Sequence, residues 1–328
     1  MEIRGNRFLV IGGAGFIGSH VVDLLLAQGA KHVRIYDNFS RGTRANIAVA
    51  LKDPRTEVFA DGGDILHKDT LCAAMKDIEG VFHLAALWLL QCQEYQRSAF
   101  DVNVVGSMNV IEACVSSQVK RLVFSSSASV YGDAITEPME EDHPFNCQEF
   151  YGASKVCGEM LLRALANNSA SKGSAFDYIA LRYMNVYGAR QDSKGSYLSV
   201  IVRMLNALDG GLSPTIQGDG FQAYDFIDVI DCARANVLAM QTSASNEAYN
   251  VGTGIKTSIR QLAQKIAAMH PNGLEARFVP SDRAFVQCRV GSIARAERDL
   301  QFNASIDLDI GLRNLIQWRA DKTGEGSQ

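Results

Sequence analysis

A serine, a tyrosine and a lysine near the middle of the chain have a spacing that suits proton transfer. Tyr151 lies 24 residues after Ser127, and Lys155 follows four residues after the tyrosine. On a helix, residues four apart share one face. An ammonium beside a phenol favours the phenolate, so we expect Lys155 to lower the pKa of Tyr151. Ser127 could donate a hydrogen bond to the oxygen of a substrate alcohol while Tyr151, assisted by Lys155, takes the proton of that alcohol.

Three glycines near the N-terminus predict a site for a dinucleotide. Gly12, Gly15 and Gly18 follow the apolar run 8–11 and lead into a helical pattern that starts with Phe16 and Ile17. Such a turn lets the backbone approach a pyrophosphate, and the helix N-terminus offers free N–H groups and a positive dipole end. The spacing Gly-x-x-Gly-x-x-Gly is typical of short-chain dehydrogenases/reductases rather than of other dehydrogenases.

An acidic residue after the second apolar run indicates which dinucleotide binds. Asp37 lies nineteen residues beyond Gly18, close to the roughly 20 expected for a carboxylate that binds the adenosine ribose. A carboxylate at this place repels a 2′-phosphate, so the sequence favours NAD over NADP. Arg41 and Arg44 follow closely and keep NADP open. Lys155 could bind the other ribose and so orient the nicotinamide.

The elements that position these residues alternate along the first half of the chain. Strands are predicted at 7–11, 32–36, 57–60, 80–84, 120–125 and 177–182, and helices at 16–28, 68–76, 98–117 and 150–167. This order implies an α/β fold, a Rossmann-type doubly wound parallel sheet. Beyond 183, glycine-rich turns at 188–196, 209–211 and 218–220 separate helical patterns at 197–208, 228–241, 257–269 and 309–319, with Thr257 or Ser258 as the N-cap of the third.

We therefore expect a cofactor domain and a smaller C-terminal α/β substrate domain. The first spans 1–182 with a return segment at about 223–248, and the second spans 183–222 and 249–328. Acidic and small residues close the third and fourth strands, namely Asp64 and Ile65, then Leu84, Ala85 and Ala86, where they can approach the cofactor.

Composition narrows the class of protein. The chain has 328 residues, 47% of them hydrophobic, and a net charge of −4. No basic block predicts nucleic-acid or membrane binding, and neither a signal peptide nor an apolar span of membrane length is expected. The seven cysteines form no Cys-x-x-Cys pair and the six histidines show no ligand spacing, which indicates reduced thiols, a cytoplasmic location and no metal site.

Four further segments carry a resemblance to a known family. They are 124–133, 181–188, 218–222 and 249–252, and the chain resembles the nucleotide-sugar epimerases of the extended short-chain dehydrogenase/reductase family over about 7–320. The resemblance implies that Asn185 and Arg289 bind the substrate diphosphate, that Asn103 orients the lysine through water or only caps a backbone carbonyl, and that helices 98–117 and 150–167 form a homodimer. The residues expected to bind the cofactor are then Gly12, Gly15, Phe16, Ile17, Gly18, Asp37, Asn38, Asp64, Ile65, Leu84, Ala85, Ala86, Asn103, Ser125, Tyr151, Lys155 and Tyr183.

Departures from the family bear on the substrate. Tyr224 replaces an arginine of the family, and the loop 87–96 is one residue shorter, with Trp88 and with Cys92 in place of a serine. Ala128 and Ser129 follow Ser127 where relatives that eliminate water or decarboxylate carry acids. We therefore expect an NAD-dependent nucleotide-sugar epimerase acting at C4 of a UDP-hexose or derivative, with Ser127, Asn185, Tyr224 and Arg289 on the substrate. A net oxidoreductase, a decarboxylase and a non-catalytic NAD sensor stay open.

Overall fold

Seven parallel strands form the main sheet of the computed structural model, which describes residues 1–171, 176–192, 198–280 and 286–325. The order across the sheet is β11-β6-β5-β4-β1-β2-β3, the doubly wound arrangement in which ligands bind at the carboxyl ends of the strands. The strands are β1 Arg7–Ile11, β2 His32–Tyr36, β3 Thr56–Val58, β4 Gly80–His83, β5 Arg121–Ser127, β6 Asp177–Tyr183, β7 Asn185–Tyr187, β8 Thr215–Gln217, β9 Ala223–Tyr224, β10 Phe226–Asp228, β11 Glu247–Val251, β12 Thr257–Ser258, β13 Arg277–Val279 and β14 Cys288–Arg289.

Helices cover both faces of this sheet. They are α1 Phe16–Ala27, α2 Lys68–Ala74, α3 Leu89–Glu94, α4 Gln96–Ala99, α5 Ser107–Ser116, α6 Phe150–Ser171, α7 Val200–Asp209, α8 Val229–Gln241, α9 Ile259–Met269, α10 Ala294–Leu300 and α11 Leu308–Glu325. Short 3₁₀ turns lie at Arg44–Ile47, Ala50–Lys52 and Ala128–Tyr131, and a π-helix lies at Phe100–Gly106. In the described part of the chain, no helix combines the length and the hydropathy needed to span a membrane.

Alternation along β1 divides the core into two layers. Phe8 and Val10 pack with α1 and α8 on one face, whereas Leu9 and Ile11 pack with α2, α5 and α6 on the other. Side chains in a strand alternate between faces, and a parallel sheet buried on both faces therefore carries an unbroken apolar run. The rigid sheet built this way fixes the turn that follows β1 and the serines that end β5.

Smaller sheets lie beside the main one and carry the other half of the site. β7 pairs with β10, β8 with β13, and β9 lies between β12 and β14. Helices α7, α9 and α11 enclose a separate apolar cluster with these strands. Ser258 begins α9 with a capping box in which it and Gln261 satisfy each other's backbone N–H groups, as predicted for the N-cap.

The structure departs from the predicted elements in several places. The single helix expected at 98–117 is wrong, because a π-helix separates α4 from α5. The seventh strand β11 and the helices α3 and α10 were not predicted. Residues 193–197 of the predicted glycine-rich turn and helix start, and the last three of the tail, lie outside the described residues. The bounds of the two predicted domains stay a prediction.

Candidate active site

A large cleft opens along the carboxyl ends of β1, β2, β4, β5 and β6 and continues to β7 and β9. Its volume is about 1550 Å³. Most of the residues predicted for cofactor and substrate line this one cleft, namely Gly12, Gly15, Phe16, Ile17, Asp37, Asn38, Asp64, Ile65, Leu84, Ala85, Ala86, Ser127, Tyr151, Tyr183, Asn185, Tyr224 and Arg289. Four others, Gly18, Asn103, Ser125 and Lys155, lie directly behind its wall.

The glycine turn between β1 and α1 has no room for side chains. Gly12 has φ +80°, and a Cβ there would lie 2.9 Å from the amide nitrogen of Ala85. A Cβ at Gly18 would collide with the carbonyl oxygen of Gly12. No side chain caps the N-terminus of α1, and no acid lies in its first turn. The uncapped first turn of α1 therefore presents N–H groups and a positive helix end to the cleft, which fits a pyrophosphate.

Asp37 follows β2 and is held beside this turn. Its carboxylate accepts the N–H of Ala14 at 2.8 Å and that of Phe39 at 2.8 Å. Burial raises the pKa of Asp37, while the two backbone hydrogen bonds oppose that rise. The side chain lines the cleft, where a fixed acceptor suits ribose hydroxyls.

Arg41 and Arg44, which left NADP possible as the cofactor, contact other side chains of the protein. The Arg41 guanidinium lies 5.2 Å from the centre of the Trp88 ring and 3.4 Å from a carboxylate oxygen of Asp192. The Arg44 guanidinium lies over the ring of Phe39 at 5.2 Å. Because both are engaged within the protein, the geometry favours a ribose with a free 2′-hydroxyl.

The candidate proton-transfer residues come together where β5 ends and α6 begins. Ser127 ends β5, and its hydroxyl accepts the N–H of Ser129 at 3.1 Å. Lys155 is 5% exposed, and its ammonium donates to the carbonyl of Ser125 at 2.7 Å. The same ammonium lies 5.6 Å from the centre of the Tyr151 ring. Ser127 and Tyr151 therefore line the cleft with Lys155 buried directly behind them, and the three side chains form one group.

Burial shifts the titration of both members of the Tyr151–Lys155 pair. It raises the pKa of Tyr151 to about 12, with hydrogen bonding to Ser127 acting in the opposite direction. It lowers the pKa of Lys155 to about 8. The pKa of Tyr151 is thus raised in the protein without ligands, whereas we expected the neighbouring ammonium to lower it; desolvation is the largest cause of the shift.

Asn103 occupies the π-helix and clamps the loop after β4. Its amide donates to the carbonyl of Leu87 at 2.8 Å, and its oxygen accepts the N–H of Leu87 at 2.8 Å. The same amide donates to the Ser154 hydroxyl at 3.2 Å and to the Cys92 thiol at 3.4 Å. Of the two roles considered for Asn103, these contacts match the backbone cap. A π-turn often marks a functional position, and here it joins the loop to α6.

A buried network of hydrogen bonds supports the end of β5, where Ser125 and Ser126 precede Ser127. The hydroxyls of Ser125 and Tyr183 are 2.9 Å apart, and that of Tyr183 donates to Asn236 at 2.9 Å. Ser126 hydrogen-bonds Glu159, which also pairs with the buried Arg182. These bonds satisfy polar groups that would be costly to bury alone, and they fix the end of β5.

The predicted substrate residues lie on the small strands opposite the catalytic group. Asn185 donates to the carbonyl of Asp225 at 3.2 Å. Tyr224 and Arg289 are neighbours across β9 and β14, and the Tyr224 hydroxyl donates to the Val286 carbonyl at 2.9 Å. Arg289 is 9% exposed, with contacts of 3.4 Å to the Ser129 hydroxyl and to the Gly132 carbonyl.

Two acidic residues that line the cleft, Glu149 and Asp192, were not predicted. Ala128 and Ser129 place no acid directly after Ser127, as the sequence indicates, but Glu149 also lines the cleft. The cleft therefore contains a carboxylate that the sequence analysis did not assign to the site. Glu149 lies two residues before Tyr151, and this short separation in sequence could have predicted that it lies in the cleft.

Comparison with known proteins gives one family and close structural relatives. The profile of the NAD dependent epimerase/dehydratase family matches residues 8–252. The UDP-glucose 4-epimerase of Mycolicibacterium smegmatis is 36% identical over 298 residues, which are 89% of this chain and 90% of that protein.

Two solved structures have the same fold. The UDP-glucose 4-epimerase of Thermotoga maritima with UDP-glucose has a TM-score of 0.87 at 29% identity and covers 97% of this chain and 99% of its own. The UDP-glucose 4-epimerase of Thermus thermophilus in complex with NAD has a TM-score of 0.83 at 30% identity. The alignment covers 95% of this chain and 99% of the Thermus thermophilus chain.

Proposed function

We propose that this protein, which belongs to the NAD dependent epimerase/dehydratase family, inverts C4 of a UDP-linked hexose or hexose derivative. It is an isomerase of the NAD-dependent nucleotide-sugar 4-epimerase class, which the likeness to the UDP-glucose 4-epimerases named above supports. The observation that carries the proposal is the meeting of Ser127, Tyr151 and Lys155 beside a glycine turn that fits a dinucleotide.

The residues around the glycine turn fit NAD. In the proposal, the N-terminus of α1 binds the pyrophosphate and Asp37 accepts the hydroxyls of the adenosine ribose, with Asp64 and Ile65 at the adenine. Lys155 and Ala85 lie at the nicotinamide end. NAD⁺, when bound, supplies the acceptor for a hydride and a positively charged ring that favours phenolate nearby.

Ser127, Tyr151 and Lys155 divide the proton chemistry. Ser127 donates a hydrogen bond to the C4 oxygen of the sugar. Tyr151 takes the proton of the C4 hydroxyl and returns it when the hydroxyl forms again on the other face of the ring. Lys155 stabilises the charge of the deprotonated phenol. The substrate passes through a transient 4-keto sugar, and C4 is inverted when this intermediate presents its other face before the hydrogen removed from C4 is returned.

The opposite wall supplies the groups for the nucleotide diphosphate. Arg289 is a buried cation with only long contacts to protein oxygens, and a phosphate would give it a charge-assisted partner. Asn185 and Tyr224 line the same wall. We assign Arg289 to the diphosphate, with Asn185 and Tyr224 beside it.

A homodimer is part of the proposal. Exposed apolar side chains lie along the helical stretch from α4 to α6, with Phe100 41%, Val105 40% and Met160 42% exposed. Large apolar side chains grouped on adjoining helices mark an interaction surface, and a two-fold pairing of these helices would cover them. Sedimentation that gives only a 35.7 kDa species at micromolar concentration would contradict the dimer. A cytoplasmic location is also proposed, on the support that all seven cysteines are free.

The decisive experiment uses the purified holoenzyme. The nucleotide released by denaturation is identified, and products are followed by NMR from UDP-, GDP- and dTDP-hexoses. We expect NAD and a C4 epimer of a UDP-sugar, with no net loss of mass. Release of NADP, a decarboxylated or dehydrated product, or binding of NAD without turnover of any sugar nucleotide would refute the proposal and favour one of the alternatives.

A further inference from the structure

A carboxylate that the proposed mechanism does not use lines the cleft beside the catalytic tyrosine. Glu149 is half-buried and directly precedes α6. Its carbonyl accepts the N–H of Ala153 at 3.0 Å, so its backbone is fixed to the same helical turn that carries Tyr151. Glu149 therefore has a defined position relative to the reacting end of the site.

Arg289 is a cation that lines the same cleft and interacts electrostatically with Glu149. Burial lowers the pKa of Arg289, and Glu149 is the first of the neighbouring groups that oppose this, before Tyr224 and Asp133. Nevertheless, among the ion pairs of the described residues none involves Arg289 or Glu149. A cation and an anion thus line one cleft without forming a direct ion pair, so both charges are available to ligand atoms in the cleft.

The two charges cannot both serve the same part of the substrate. A phosphate on Arg289 satisfies the guanidinium and leaves the negative charge of Glu149 without a cation. A carboxylate only accepts hydrogen bonds, so it binds hydroxyl or N–H donors and repels anions. We propose that Glu149 contacts the sugar and selects nucleotide-linked hexoses that carry hydroxyl groups over hexuronates, an inference that rests on the proposed function.

The expected discrimination follows from like-charge repulsion. Two negative charges brought together at a partly desolvated site repel each other, and a 100-fold preference corresponds to about 2.8 kcal/mol of such repulsion. We therefore expect the wild type to favour UDP-hexose over the matching UDP-hexuronate by about 100-fold in kcat/KM. Glutamine keeps the size of the side chain and removes the charge, so Glu149→Gln should reduce this preference by about tenfold or more.

The test compares three variants of the NAD-loaded enzyme on UDP-glucose and UDP-glucuronic acid. Glu149→Gln should lower the KM for the hexuronate, and Glu149→Asp, which keeps the charge, should retain the preference. Glu140→Gln, an exposed glutamate of the same connection outside the cleft, is the matched control and should behave as the wild type. Bound NAD and the melting temperature report whether each variant is folded.

The outcomes separate the inference from the proposed function. An unchanged preference in Glu149→Gln, or a wild type that accepts both sugars equally, would overturn the inference and leave the epimerase intact. A loss of kcat on UDP-glucose with unchanged KM would place Glu149 in proton transfer and would also overturn it. If the wild type converts neither these nor any other sugar nucleotide, the proposed function itself fails.

Discussion

The buried ammonium of Lys155 should make the cofactor-free protein less stable than a variant without it. Its pKa falls from the ordinary 10.5 to about 8 because burial disfavours the charged form. That difference corresponds to about 3 kcal/mol that opposes folding at neutral pH. In Lys155→Met the hydrogen bond from the ammonium to the carbonyl of Ser125 is lost, at a cost of about 1.5 kcal/mol or slightly more. We expect a net gain of about 1 kcal/mol in the free energy of unfolding.

The pH dependence gives this prediction its signature. Below pH 8 the lysine is charged in both the folded and the unfolded chain, so the penalty is present in full. Between pH 8 and 10.5 the folded protein releases the proton while the unfolded chain keeps it. The wild type therefore gains stability relative to Lys155→Met as the pH rises through this window, and the penalty is gone above it.

The assay is chemical unfolding of the cofactor-free proteins from pH 7 to 10, since bound NAD would add its own stabilisation. Tyr151→Phe is the matched control, because the phenol, with a pKa of about 12, stays neutral in the folded protein over this range. A stability difference between wild type and Lys155→Met that does not change with pH, or a less stable Lys155→Met at pH 7, would refute the argument that a buried charge opposes folding here.

Three further substitutions test the site. Tyr151→Phe should lower kcat by at least about 100-fold, since it removes the proton carrier and keeps the ring; near-normal turnover would exclude Tyr151 as the acid and base. Arg289→Ala should raise the KM for the sugar nucleotide about tenfold or more, with a smaller change in kcat, because a charge-assisted hydrogen bond contributes about 1.5–3 kcal/mol; an unchanged KM would remove Arg289 from the diphosphate. Arg41→Ala removes the cation–π contact with Trp88 at the edge of the cleft and should speed the release of NAD roughly fivefold. Stopped-flow displacement measures this rate, and an unchanged rate would show that the contact does not retain the cofactor.

Local sequence was enough to predict the cofactor turn and the start of α6. The close approach between Gly12 and Ala85 leaves no space for a Cβ, and only glycine meets that condition, so the glycine spacing identifies the turn. Likewise Tyr151 and Lys155 share a helix face because of the helical period alone. The unbroken apolar runs of β1, β4 and β5 predict a parallel sheet, because strands that are buried on both faces have no polar alternation.

Other features depend on residues far apart in the chain. The strand β11 follows β6 by more than sixty residues and is recognised only by its register against Leu181. The π-helix exists where Asn103 reaches the backbone of Leu87, which a periodic pattern does not encode.

The sequence by itself thus determined the glycine turn and the placing of Tyr151 and Lys155 on one helix face, because these follow from short-range spacing, and its alternating apolar runs indicated the fold class. Bringing Ser127 beside that pair required β5 and α6 to pack together. Only the tertiary structure decided that Glu149 lines the same cleft as Arg289. It also decided that the pKa of Tyr151 is raised by burial, where the nearby lysine led us to expect a lower value. Charge interactions and desolvation depend on distance and solvent exclusion in three dimensions, and neither is set until strands and helices distant in sequence have packed together.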